Sequence, residues 1–396
     1  MKMYCLAALL ACLLIVTPAL AQIPADTNSD DKLTRDELAN AILEYMLDGG
    51  DLSLEDLRDA AHVYVYWNGK PKIIVDSDGK EVKIFRPIKR IVVLGTTQAE
   101  VLRSLNAKDR IVGISTYITK KPDFFPQLKE LPTVGSGYYP DYEAIVNLTP
   151  DIVLQYSGWT PEMDEELEPF DIKVIRLGFK LMNYTSEVRS LGDILDKKQE
   201  ADRLVEFHQS YMDTIAAGIA TLEENEKPGV YLEWNTDYQT DTNGSLHQLC
   251  VLAGGKNIAA NLTGKYPTVD AEWIASENPD IIIKFPFRKS ASHGYDVDDA
   301  SEMAELWNSL FERFEPYNIT AITNNDVYVV GQEIVSGPRA LVAIAYMAKW
   351  FHPELFNDLN PIEIHQKYIE DFQGLDYDLY ERGVFVYHPV NNPDGR

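Results

Sequence analysis

Short apolar runs alternate with amphipathic stretches through most of this chain. Ile91-Val92-Val93-Leu94, Ile152-Val153-Leu154 and Ile281-Ile282-Ile283 are bounded by turn residues and rich in β-branched side chains. That is the pattern of strands covered on both faces. Residues 72–75 and 81–84 flank Asp76-Ser77-Asp78-Gly79, which predicts a β-hairpin. A strand over 90–94, a helix from Gly95-Thr96-Thr97 to Leu105 and a strand over 110–115 follow. Further strands are predicted at 152–155, 173–175, 229–232, 281–284 and 327–330, and a closing helix from Pro338 to Phe351. Strand–helix–strand alternation of this kind predicts an α/β fold with parallel sheets and helices on both faces. From Ser186 to Glu226 the spacing turns helical, carried by Val188, Leu191, Ile194, Leu195, Leu204, Val205, Ile215 and Ile219. This stretch reads as a spine between two α/β halves, with room for a joint near Asp196-Lys197-Lys198.

One cadence occurs twice. Asp141, Glu143, Ile145, Pro150-Asp151 and the run 152–154 are matched by Asp270, Glu272, Ile274, Pro279-Asp280 and the run 281–283. Each copy predicts a short helix, a turn and a buried strand. An Asp at the helix start can accept from the free amides of the first turn. A Glu in that turn is favoured by the helix dipole. Pro ends the helix and biases the residue before it toward extended backbone. A long internal repeat argues for two halves built alike, so Glu143 and Glu272 occupy matching places on two lobes.

Charge narrows the range of partners. With 36 Lys and Arg against 62 Asp and Glu in 396 residues, the formal net charge is 36 − 62 = −26. A nucleic-acid backbone or an anionic membrane surface needs clustered cations, so neither is an expected partner. The start reads as a secretory signal over residues 1–21: Lys2, an apolar core from Leu6 to Val16, and Pro18-Ala19-Leu20-Ala21 before Gln22. Leu9-Leu10-Ala11-Cys12 faintly resembles a lipoprotein box, but apolar residues continue past Cys12. Cys5 and Cys12 fall in the signal, which leaves Cys250 as the one thiol and no disulfide within the chain. Sequons at Asn147, Asn183, Asn243, Asn261 and Asn318 fit an exported protein. The seven His residues are scattered, and neither a G-x-S-x-G elbow nor a P-loop is present, so no enzymatic activity is expected.

Residues 22–68 form a separate acidic segment. Asp26, Asn28 and Asp30 stand at positions 1, 3 and 5 of a calcium-loop pattern, the Lys32 carbonyl at 7 and Glu37 at 12. Asp31 replaces the usual Gly at position 6, and Asp tolerates positive φ better than most residues. A helix over 35–47 follows, and no second loop is supplied by Asp48-Gly49-Gly50-Asp51. The segment resembles one half of a dockerin, which implies one structural calcium ion and leaves a cell-surface interaction role as an alternative.

With these motifs in hand, residues 70–372 resemble the solute-binding proteins of ABC importers that carry ferric siderophores, haem and vitamin B12. The hairpin and first strand, both Glu–Pro-Asp repeats, Leu252-Ala253-Gly254-Gly255-Lys256-Asn257-Ile258 and Ser336-Gly337-Pro338-Arg339 carry the resemblance. It implies two Rossmann-like lobes joined by one long helix, the class III periplasmic-binding-protein architecture, with ligand in the cleft between them. The implied division is an N-terminal lobe over 69–184, a connecting helix over 185–227, a C-terminal lobe over 228–373 and a tail over 374–396. In that family a Glu on each lobe docks into Arg residues of the permease dimer, and the motif sets Glu143 and Glu272 in that role. The protein is then a monomer outside the cell membrane that captures an iron chelate, or else haem, corrinoid or an oxyanion such as molybdate. Ligands of α/β lobes meet the loops after strand C-termini. The candidates there are Thr96, Thr97, Tyr138, Tyr139 and Arg339, with Trp159, Tyr231 and Trp234 as aromatic walls.

Overall fold

The computed structural model describes residues 22–48 and 50–396. The signal segment over 1–21 lies outside the described residues. Strands β1 (Lys72–Val75) and β2 (Glu81–Ile84) pair antiparallel in a hairpin, from Lys72 opposite Ile84 to Val75 opposite Glu81. The N-terminal lobe is built on β3 (Ile91–Val93), β4 (Ile111–Ile114), β5 (Ile152–Gln155) and β6 (Lys173–Arg176). They form one sheet in the order β4-β3-β5-β6, parallel throughout. The C-terminal lobe holds β7 (Gly229–Glu233), β8 (Lys256–Asn257), β9 (Ile281–Lys284), β10 (Val327–Val330) and β11 (Val386–Tyr387). Their order is β11-β10-β9-β7-β8, and only β11 runs antiparallel. Strands β5 and β9 are buried along their whole length, which is why they read as continuous apolar runs.

The repeats fold alike. Asp141 caps the helix Tyr142–Asn147 by accepting from the Ala144 amide at 3.0 Å. Asp270 caps Ala271–Glu277 by accepting from the Trp273 amide at 2.8 Å. At the turn into each strand an Asp ties in the neighbouring strand. Asp151 Oδ2 accepts from the Lys89 and Arg90 amides, both at 2.7 Å, just before β3. Asp280 Oδ2 accepts from the Gly229 amide at 2.7 Å, the first residue of β7. The symmetry expected from the repeat thus extends to individual hydrogen bonds.

The helical stretch over 185–227 is not one helix. It divides into Tyr184–Ile194 and Lys198–Ile219. Asp196 breaks it with φ 55°, and its carboxylate accepts from Lys72 Nζ at 2.7 Å and Trp67 Nε1 at 2.9 Å. The first helix packs against β1 and belongs to the N-terminal lobe. Only the second is the spine; it touches Thr96–Ser104 on one lobe and Ala340–Phe351 on the other, and its 22 residues span roughly 33 Å. The stretch over 374–396 is likewise not a tail, because β11 completes the C-terminal sheet. A second helix in the N-terminal segment, Leu54–Tyr66, starts with a capping box between Ser53 and Asp56. Among the described residues no helix is long and apolar enough to cross a membrane.

Candidate functional site

A cleft of about 480 Å³ opens between the lobes at the C-terminal ends of the strands. Its N-terminal wall comes from loops that leave β3, β5 and β6. Gly95 begins the helix Thr96–Ser104, and a Cβ there would fall 1.8 Å from Gln98 Oε1 and 2.7 Å from the Tyr156 ring, so a larger residue would displace both side chains. Thr97 Oγ1 lies 2.6 Å from the Tyr156 hydroxyl. Trp159 packs on Tyr156 with centroids 4.9 Å apart and stacks on Tyr138 at 3.8 Å. Phe179 and Lys180 follow β6.

The facing wall starts at Gly244 and Ser245, where the helix Ser245–Leu252 opens. Asp241, wholly buried, fixes that start by accepting from the Gly244 amide at 2.6 Å and the Leu246 amide at 2.9 Å. Lys265 and Tyr266 close this side, with Lys265 Nζ 5.1 Å from the Tyr266 ring centre. Trp234 stacks behind Tyr266 at 6.1 Å. The lobes come together where Ser336 and Gly337 meet Thr97. Gly337 has φ +59°, and a Cβ on it would lie 2.6 Å from Thr97 Cγ2.

The electrostatics are one-sided. Among the described residues, Lys180 and Lys265 are the charged side chains lining the cleft, and no carboxylate or imidazole joins them. Aromatic rings line both lobes: Tyr156, Trp159 and Phe179 on one, Tyr266 on the other.

Several expected cleft residues lie elsewhere. Arg339 does not line the cleft. It is buried in the seam between the lobes, donating to Glu100 through Nε at 2.9 Å and Nη2 at 3.0 Å, and to Glu333 at 3.1 Å. Lys121 joins Glu333 at 2.7 Å from the N-terminal lobe, and the Tyr368 hydroxyl donates to Glu100 at 2.7 Å. Lys121 and Arg339 beside Glu333 hold its carboxyl down at about 2 against the pull of burial, while the carboxylates around Arg339 keep its guanidinium charged. Tyr231 is wholly buried inside the C-terminal lobe, and burial raises its phenol far above the ordinary value. Thr96 is half-buried beside the cleft without lining it, and Tyr139 is 84% exposed on the outer rim. Tyr138 is half-exposed and braces Trp159, as Trp234 braces Tyr266. Thr97 and Trp159 are the expected residues that do line it. Tyr156, directly after β5, and Lys180, four residues after β6, were not among the expected residues; the same strand-end rule, applied to the loops after β5 and β6, reaches them.

Glu143 and Glu272 are both exposed, each the second residue of its capped helix. Each helix precedes a central parallel strand of its sheet, so the two carboxylates hold matching places in the two lobes. At the N-terminal loop, hydrogen bonds from Thr34 and Thr27 hold the Glu37 carboxyl at about 2. Among the described residues no three His, Cys, Asp or Glu side chains converge into a metal cluster.

Comparison with known proteins settles the family. The periplasmic binding protein family model matches residues 91–333, which takes in the N-terminal sheet, the spine and the C-terminal sheet apart from β11. The chain belongs to the periplasmic binding protein family. This binding protein is 25% identical over 299 residues to an uncharacterised ABC transporter substrate-binding lipoprotein of Bacillus subtilis, covering 73% of this chain and 88% of the relative. It is 25% identical over 288 residues to a cobalamin-binding protein of Halobacterium salinarum, covering 70% and 73%. A solved TroA-like periplasmic binding protein, FepB of Veillonella parvula, superposes with a TM-score of 0.69 at 21% identity, covering 80% of this binding protein and 99% of that chain. The fold is therefore the TroA-like, class III form, with two α/β lobes on parallel sheets.

Proposed function

We propose that this chain is the extracytoplasmic solute-binding component of an ABC importer, and that its cargo is an anionic metal chelate with aromatic surface, of the siderophore type. The observation that carries the cargo class is the lining of the cleft: two lysines, no carboxylate among the described residues, and rings on both walls. Amines in a sheltered cleft bind oxyanions by charge-assisted hydrogen bonds. Aromatic faces take planar ligand surface. A cleft of about 480 Å³ lies within the usual range for small-molecule sites, roughly 300–1,000 Å³. Delivery rests on Glu143 and Glu272, two carboxylates at matching positions that suit docking onto a paired cationic surface.

A corrinoid is the second reading, favoured by the cobalamin-binding relative. The two cargoes differ in how much they depend on the lysines. Titration of the purified chain with a ferric tricatecholate, followed by tryptophan fluorescence, separates them. Replacing both Lys180 and Lys265 by Ala is expected to weaken the ferric chelate by roughly a hundredfold or more, since each hydrogen bond to a charged group contributes about 1.5–3 kcal/mol. Unchanged chelate affinity, or tight cobalamin binding indifferent to both lysines, would replace the first reading with the second.

A further inference from the structure

The N-terminal segment carries a second candidate site, apart from the cleft. Three of its side chains bend the loop 26–37 through local hydrogen bonds. Asp26 Oδ1 accepts from the Ser29 amide at 2.9 Å, Asn28 Oδ1 from the Asp30 amide at 2.9 Å, and Asp30 Oδ1 from the Lys32 amide at 3.0 Å. Asp31 adopts φ 59°, the left-handed conformation that position 6 of a calcium loop requires. These bonds give shape but do not by themselves identify a ligand.

Asp26 does. It is 1% exposed, and its Oδ2 has no hydrogen-bond partner. The other oxygen of the same carboxylate takes the Ser29 amide from within the loop, so the group is tied to the loop's start. Burying a carboxylate oxygen without a donor is costly, and the cost is offset when the oxygen coordinates a cation. Every other candidate donor on the loop is also an oxygen: the Asn28 amide, the Asp30 and Glu37 carboxylates and the Lys32 carbonyl. A hard cation that accepts six to eight oxygens in flexible geometry matches that set, and magnesium, which demands a tight octahedron, does not.

We propose that residues 26–37 bind one calcium ion through Asp26, Asn28, Asp30, the Lys32 carbonyl and Glu37, and that the ion staples the N-terminal segment to the first lobe. Glu37 now spends both oxygens on Thr27 and Thr34, at 2.7–3.2 Å. Binding therefore draws Glu37 from those partners and tightens the loop. The loop is well placed as a staple. The Leu33 amide donates to the Gly69 carbonyl at 2.7 Å, beyond the second helix of the segment. Gly69 has φ +70°, and a Cβ there would lie 2.2 Å from the Leu33 carbonyl oxygen, so the approach needs glycine. Asp31 pairs with Lys83 of β2 at 2.8 Å. Ile23 and Leu33 are buried in the same core as Ile74 and Val82 of the hairpin.

Isothermal titration of the secreted chain with calcium chloride, alongside thermal unfolding with and without the ion, tests this. One calcium per chain is expected, with a dissociation constant between about 10⁻⁶ and 10⁻³ M, a raised Tm, and no comparable response to magnesium. Asp26→Ala and Glu37→Gln should each weaken calcium by roughly tenfold or more while leaving chelate binding in the cleft unchanged. Asp30→Asn, a milder change, guards against a variant that fails to fold. Absence of a saturable calcium signal up to about 10 mM, or parental affinity in all three variants, would overturn the proposal.

Discussion

The two lobes share a frame and differ at the point where the frame meets the cleft. Both repeats use an Asp cap, an exposed Glu in the first turn and a second Asp that fastens the neighbouring strand. The register continues to the last residue of the strand, where Gln155 in β5 corresponds to Lys284 in β9. Gln155 is neutral, and its Nε2 donates to the Gly137 carbonyl at 2.7 Å. Lys284 is charged, and its Nζ donates to Glu233 at 2.7 Å and Asp237 at 2.9 Å, with Arg313 completing the group at 2.6 Å from Glu233. Each side chain holds the loop that runs beside the cleft. One lobe does it with an amide and the other with a buried ion cluster. The backbone frame is thus what the halves have in common, and the chemistry that fixes each cleft loop is free to diverge.

The two solutions should fail by different amounts. Glu233→Ala leaves Lys284 and Arg313 facing each other without their buried carboxylate, with only the exposed Asp237 between them. It should cost about 3–5 kcal/mol in denaturant unfolding, the range for breaking a buried ion pair by removing one partner. Acid comes next, and it acts on the seam. His208 on the spine donates its Nε2–H to the Pro338 carbonyl at 2.6 Å and is held neutral by burial at about 4; His365, also buried, is held at about 3. Their ordinary value is near 6.5, so the unfolded chain takes up protons first as pH falls. Stability should decline from about pH 6.5 down to about 3, by on the order of 3 kcal/mol for His208, and His208→Asn should flatten the upper part of that slope in Tm measured against pH. Gln155→Ala, which removes only neutral hydrogen bonds to Gly137, Thr160 and the Tyr156 amide, should cost about 1–3 kcal/mol. Removing a cap, by Asp141→Ala or Asp270→Ala, should cost about 1 kcal/mol in either lobe. Equal losses from the first and third substitutions would mean that the lobes do not differ where the structure says they do.

What could be read from the sequence was what neighbouring residues decide. The caps, the prolines, the hairpin turn and the buried strands are set by side chains a few positions apart, and the repeat made them visible twice. Arg339 was misplaced because its partner Glu100 is 239 residues away, and a guanidinium after Gly-Pro looks the same whether it meets a ligand or a carboxylate. Tyr231 misled for a related reason: its strand is buried on both faces, so no alternation marks which side reaches the cleft. The joint near Asp196 was legible as a pause in the helical spacing, while its form, a residue at φ 55° with no glycine to announce it, was not. The lysines of the cleft lie in loops with no periodicity, and only the rule about strand ends points to Lys180.

The account stands on the pair of carboxylates that the repeat sets on the two lobes. The most direct measurement is ATP hydrolysis by the cognate importer in liposomes, driven by ligand-loaded chain carrying Glu143→Ala with Glu272→Ala. Stimulation should fall to the level seen without the binding protein, while affinity for the chelate in free solution stays at the parental value. Full stimulation by that variant, or lost chelate affinity, would contradict it.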